Sequence, residues 1–166
     1  MAYHGRTPLA FFRVQDEYSR AQHCEHRGIL SANQSNASFD TRLRKTRRTI
    51  QDHLDWSSKK PSPFVSVYSD WETALREARR RLADGHEEVV IWKIDTQKGD
   101  EKAQYRNIRL LAHKSGVFVP KRAWNNSTYE WLFLHRIPTS MVVKYLAPAN
   151  ELLCSFELTI WKGLHA

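Results

Sequence analysis

The chain has 166 residues, 41% hydrophobic and 27% charged, with 26 Lys and Arg against 18 Asp and Glu for a net charge of +8. That balance suits one globular domain (residues 1–166, core about 9–146) with a real core, and it excludes a disordered or low-complexity chain. No apolar run approaches the roughly 20 residues of a membrane span, and positions 1–8 lack a secretory-type apolar stretch; the compartment stays open, with an intracellular, cytoplasmic or nuclear, setting favoured.

Leu9 to Val14 reads as a first strand, continuously apolar apart from Arg13. Asp16 to Arg27 is polar and helix-compatible, with Gly28 at a C-cap position. Ser31 to Ser38 is a turn-rich loop. Asp40 to Trp56 reads as a helix carrying Leu43, Ile50 and Leu54 at helical spacing, with Asp40 as its N-cap. Two prolines then deliver the chain into a strand from Phe64 to Tyr68. Ser69 and Glu72 make a capping box for a helix with the apolar stripe Ala74, Leu75, Ala78 and Leu82, ended by Gly85. Glu88 to Asp95 is a strand buried on both faces, and Tyr105 to His113 is a short helix or strand. Val117 to Pro120, Tyr129 to His135, Met141 to Leu146 and Leu153 to Trp161 are further strand candidates. Helices gather in the first half and strands in the second, so the fold class is α+β.

Cys24 and Cys154 lack metal-ligand spacing, and a reduced protein is the expectation. The eight histidines form no HExxH or paired-ligand pattern, and His23 and His26 read as a solvated helix end, so no metal is expected. Basic runs at Arg42 to Arg48 and at Arg76, Arg79, Arg80 and Arg81 suit a polyanionic partner (nucleic acid, nucleotide phosphates or an acidic membrane surface); the plainer alternative, which charge alone does not displace, is a basic solvated helix face.

Three apolar runs each enclose one chemically distinct residue: Arg13 after Phe11-Phe12, Ser66 after Phe64-Val65, and Glu130 before Trp131-Leu132-Phe133. A buried arginine is costly unless it meets an anion. A cation, a hydroxyl and a carboxylate on three strands suit a cleft for a phosphorylated ligand; the plainer alternative is three strand residues facing water.

The order of these motifs, with Asp52-His53 inside a helix and Ile137-Pro138 after the Glu130 strand, resembles the ADP-ribosyltransferase fold, in its Arg-Ser-Glu group typified by cholera toxin, heat-labile enterotoxin and pierisins. The resemblance covers roughly Phe11 to Leu146. It implies two packed antiparallel-rich sheets around an NAD cleft, NAD as donor substrate, and ADP-ribose transfer to a nucleic-acid, nucleotide or protein acceptor. Carried over by position, Arg13 matches the arginine that binds the NAD phosphates, His53 a histidine near the nicotinamide ribose, and Ser66 the first member of a Ser-Thr-Ser strand. Glu130 matches the catalytic glutamate, whose carboxylate stabilises the oxocarbenium-like transition state as the nicotinamide–ribose bond breaks.

Two departures stand out. Ser66 is followed by Val67-Tyr68 rather than Thr-Ser, and position 128, where the family carries Glu or Gln facing the acceptor, is Thr128. A hydroxyl is no general base for an arginine, so arginine transfer is disfavoured. Lys121 to Thr128 would be the acceptor-recognition turn, with Trp124 available to stack on a base. The alternatives are an NAD glycohydrolase, a catalytically silent NAD- or nucleic-acid-binding module of the same fold, and a basic nucleic-acid-binding domain.

Overall fold

The computed structural model describes residues 7–55, 57–99 and 102–148. In chain order these form β1 (Ala10–Gln15), β2 (Gln22–Cys24), β3 (Gly28–Leu30), α1 (Arg44–Leu54), β4 (Phe64–Tyr68), α2 (Trp71–Ala83) and β5 (Val90–Asp95). There follow β6 (Tyr105–Asn107), α3 (Ile108–Ser115), α4 (Lys121–Ser127), β7 (Glu130–Leu134), β8 (Arg136–Ile137) and β9 (Val142–Pro148). The class is α+β. One antiparallel sheet has six strands in the order β6-β7-β4-β1-β5-β9, and a second has three, β2-β3-β8.

Alternation along the strands sorts their side chains into two layers. Phe11, Val65, Val67, Ile94, Trp131 and Phe133 pack against Ile29 and Ile137 of the small sheet. Phe11 is fully buried, its ring 5.5 Å from those of Tyr105 and Phe133 and 5.6 Å from that of Trp131. On the opposite face the helices form two groups. Ile50 and Leu54 of α1, Ile108 and Leu111 of α3 and Ala123 of α4 cover Phe64 and Leu132. Ala74, Leu75 and Ala78 of α2 cover Val14, Tyr68 and Ile91.

Between those two groups the large sheet parts. β1 and β4 share a single register pair, Phe12↔Tyr68; Arg13↔Val67 and Val14↔Ser66, the pairs that would continue an antiparallel ladder, are not formed. By contrast β1 pairs with β5 over six residues and β4 with β7 over five. The parting lies beside the Ser66 end of β4.

Several sequence expectations change. Asp16 to Arg27 is no helix: it contains β2, and Gly28 opens β3 in a hairpin. Gly28 has φ +80°, and a Cβ there would lie 2.0 Å from the Ile137 carbonyl, so the glycine answers a close strand approach rather than a helix end. His23 accordingly sits on a strand, stacked on Trp92 at 4.2 Å. The N-cap of α1 is Leu43, exposed rather than buried, while Asp40 accepts from the Arg42 amide and guanidinium. The cap of α2 is Asp70, accepting from Thr73 N at 2.8 Å, one residue after the expected Ser69. Val117 to Pro120 is not a strand, and Lys121 to Ser127 is helix α4 rather than a turn. α3 and α4 lie in the second half of the chain, so helices do not gather in the first. Cys154 and the strand expected at Leu153 to Trp161 lie outside the described residues.

Candidate active site

Where the sheet parts, a cleft of about 310 Å³ opens between α1, α2 and α4, and Arg13, His53, Ser66 and Glu130 all line it. Arg13 is 7% exposed, and its guanidinium takes over the missing ladder. Nη1 donates to the Ser66 carbonyl at 2.9 Å and Nη2 to the Ala21 carbonyl at 3.1 Å. A planar fork reaches both acceptors, one on β4 and one in the bend before β2. No carboxylate pairs with Arg13 in the ion pairs among the described residues. Burial, reinforced by the neighbouring Arg81, lowers its pKa to about 10.

Ser66 and Tyr68 project from β4 on the helix face, and Tyr68 stands opposite Glu130 in register. Val67, between them, is fully buried in the layer between the sheets. A hydroxyl at position 67 would therefore point into that core, so a valine there takes no group from the cleft. Tyr68 does line the cleft, and burial together with Glu130 and Glu77 raises its pKa.

Glu130 begins β7 immediately after α4, and Asn107 fixes that junction. Its side chain caps α3 by accepting from Leu110 N at 3.2 Å and donates to the carbonyls of Thr128 (2.8 Å) and Glu130 (3.2 Å). Burial raises the Glu130 pKa, Glu77 adds to the rise, and the Ser66 hydroxyl, Arg13 and Arg81 oppose it. His53, near the end of α1, sits between two hydroxyls: Nδ1 is 2.7 Å from Ser62 Oγ and Nε2 3.0 Å from Ser66 Oγ. Burial, then Arg13 and Arg20, lowers its pKa to about 4, so the ring is neutral at pH 7.

Sequence reasoning did not single out the cleft's other wall. Arg20 reaches it while donating to the Lys60 and Ser58 carbonyls. Arg81 joins buried Glu77 to buried Asp16 at 2.9 and 3.1 Å, and Arg80 joins Glu77 to Asp84 at 2.9 and 2.6 Å. The signal was present in the basic cluster of α2, but acidic partners 3 to 65 residues away turn two of its arginines into part of a wall rather than an open basic face. Trp124 and Thr128 do not line the cleft; Ala123 and Asn126 of the same helix do. Trp124 is half exposed under the Arg109 guanidinium, 4.2 Å from its ring centre, and Thr128 serves the junction through its carbonyl. A larger cavity, about 590 Å³, lies at the β6 edge beside Phe39, Tyr105, Arg106 and Lys114, with none of the four cleft residues in its lining.

Among the described residues no three His, Cys, Asp or Glu side chains are grouped to hold a metal ion, and no helix is long and apolar enough to cross a membrane. Residues 6–151 match the family described as Domain of unknown function (DUF7587), and the chain belongs to that family. No curated protein matches the chain.

Proposed function

We propose that the cleft binds NAD and that the chain is an ADP-ribosyltransferase-like enzyme. The observation that carries the reading is the convergence of Arg13, His53, Ser66 and Glu130, spread over 118 sequence positions, on one cavity at the parting of β1 and β4. In this reading the buried Arg13 cation, without a carboxylate of its own, is neutralised by the pyrophosphate. Its remaining N–H groups and Arg20 supply the charge-assisted bonds. The Glu130 carboxylate faces the ribose. The C1′–N bond breaks with its electron pair leaving on nicotinamide, which departs neutral, and the positive charge that develops on the sugar is stabilised by Glu130. The acceptor then bonds to C1′ and loses its proton.

Exposed Arg44, Arg47 and Arg48 on α1 support a nucleic-acid or nucleotide acceptor. Hydrolysis is the second reading. Thr128 does not line the cleft, so the base that a protein or nucleotide acceptor would need is missing from that position, whereas water needs less help.

Incubation with NAD and chromatography of nicotinamide tests the reading. Release by the wild type, reduced at least 100-fold by Glu130→Ala, is the expected result. No release, but a thermal shift with NAD, would indicate a silent binder. Neither effect, alongside salt-sensitive binding of RNA or DNA, would replace the reading by a basic nucleic-acid-binding domain.

A further inference from the structure

The cavity of about 590 Å³ at the β6 edge has no part in the NAD reading, yet its lining is chemically one-sided. Arg106 and Lys114 line it, and none of the described aspartates or glutamates does. Neither cation has an ion-pair partner among the described residues. Arg106 is nonetheless held in place: Nη1 donates to the Tyr105 carbonyl at 2.8 Å, and the guanidinium lies 5.7 Å over the Phe39 ring. Its remaining N–H groups are left for an anion. Lys114 comes from the last turn of α3, so the two charges belong to different elements.

Aromatic rings supply much of the rest. Phe39 is stacked on Phe64 at 5.5 Å and Tyr105 on Phe133 at 4.8 Å, and both outer rings border the cavity. Such packing sets the rings as flat walls before any ligand arrives. Trp131 lines the cavity too; it is 7% exposed, and its Nε1–H is buried without an acceptor among the described residues. A buried donor left unpaired is costly, and a ligand acceptor would relieve it. Asn107 offers nothing further, since its side chain already bonds Leu110 N and the carbonyls of Thr128 and Glu130.

The volume falls among small-molecule sites and is far more than a lone ion needs. Two unpaired cations call for two negative charges. A carboxylate carries one, whereas a terminal phosphate monoester carries close to two at pH 7. The flat walls call for a planar ring on the same molecule. We propose that the β6-edge cavity is a second ligand site that takes a nucleoside monophosphate, its terminal phosphate met by Arg106 and Lys114 and its base lying against Tyr105. The site stands apart from the NAD reading: NAD has no terminal phosphate, and its charges sit between two nucleosides.

The test is a titration of AMP into the ¹⁵N-labelled full chain, following backbone amides and indole N–H groups, with adenosine, inorganic phosphate and NAD in separate arms. AMP is expected to shift the Tyr105, Arg106 and Lys114 amides and the Trp131 indole, and adenosine and phosphate to bind about tenfold more weakly or worse. Arg106→Ala and Lys114→Ala, both at exposed positions, should each weaken AMP about tenfold, and Lys114→Arg should keep its affinity. A 5′-phosphorylated trinucleotide separates the sources of this chemistry. Binding as tight as that of AMP assigns the site to the end of a nucleic-acid strand, and failure to bind assigns it to the free nucleotide; either result upholds the site. The proposal is overturned if AMP at millimolar concentration shifts none of these groups, or if adenosine binds as well as AMP, and both results are read on the wild type alone. Undiminished affinity in a folded Arg106→Ala overturns it as well. AMP binding here with no effect of NAD on the cleft amides would uphold this site and remove the NAD reading instead.

Discussion

Arg13 replaces hydrogen bonds that two strands fail to make, so its guanidinium is held by carbonyls rather than by an ion pair, while Asp16 and Glu130 favour its charge from farther off. Its fork holds Ser66 O and Ala21 O, tying β4 to the start of the small sheet without using a carboxylate. Lysine keeps the charge but lacks the fork. Arg13→Lys is therefore expected to lose about 1–2 kcal/mol in urea unfolding, one buried carbonyl going unpaired; unchanged stability would contradict the bridging role. His53 gives a pH signature. Its folded pKa, about 4, lies below the ordinary 6.5, so the unfolded chain takes up the proton first as pH falls. The sign is a loss of stability on acidification through that window, worth about 2–3 kcal/mol between pH 7 and 4.5. Replacing His53 by Gln should flatten the urea-midpoint profile over that range; an equally steep profile would place the titration elsewhere. Arg13, Ser66 and Glu130 were legible in the sequence because each interrupts an apolar run. Ser62 and Arg81 were not, since their meaning depends on partners that only the folded chain brings near.

At the scale of elements, strands with continuous apolar faces were readable and polar edges were not. β4 and the stripe of α2 follow from alternation and helical spacing, because both are buried by the large sheet. Asp16 to Arg27 looks helical because its residues are polar and the strands β2 and β3 are only three residues long, with β3 stabilised by pairing with β8 more than a hundred positions away. Gly28 shows why the local signal misled: a positive φ is needed at a helix end and at this hairpin alike. Its true constraint is tertiary. Gly28→Ala would set a methyl against the Ile137 and Pro138 backbone at a strained φ. We expect a loss of more than about 2 kcal/mol in thermal or urea unfolding. A change below 0.5 kcal/mol would mean that the two-sheet contact is looser than described.

Across the whole molecule, the two helical groups and the parted sheet make the cleft a consequence of architecture. α1, α3 and α4 cover one half of the sheet, α2 the other, and the gap between them is lined by charged residues. The excess of positive charge is divided accordingly: Arg80 and Arg81 are committed to acidic partners beside the cleft, while Arg44, Arg47 and Arg48 remain on the exposed face of α1. The α+β class was readable from the sequence. The parting of β1 and β4 was not, because nothing in either strand's composition records which of its ladder positions goes unpaired. The larger β6-edge cavity competes with the cleft as a place for a ligand, and the two share no lining residue, so they can be told apart residue by residue. The most direct measurement is therefore a titration of NAD into ¹⁵N-labelled protein, following backbone amides. The account predicts shifts concentrated at Arg13, His53, Ser66, Tyr68 and Glu130, abolished in Arg13→Lys. Shifts clustered at Tyr105, Arg106 and Lys114, or none at millimolar NAD, would contradict it.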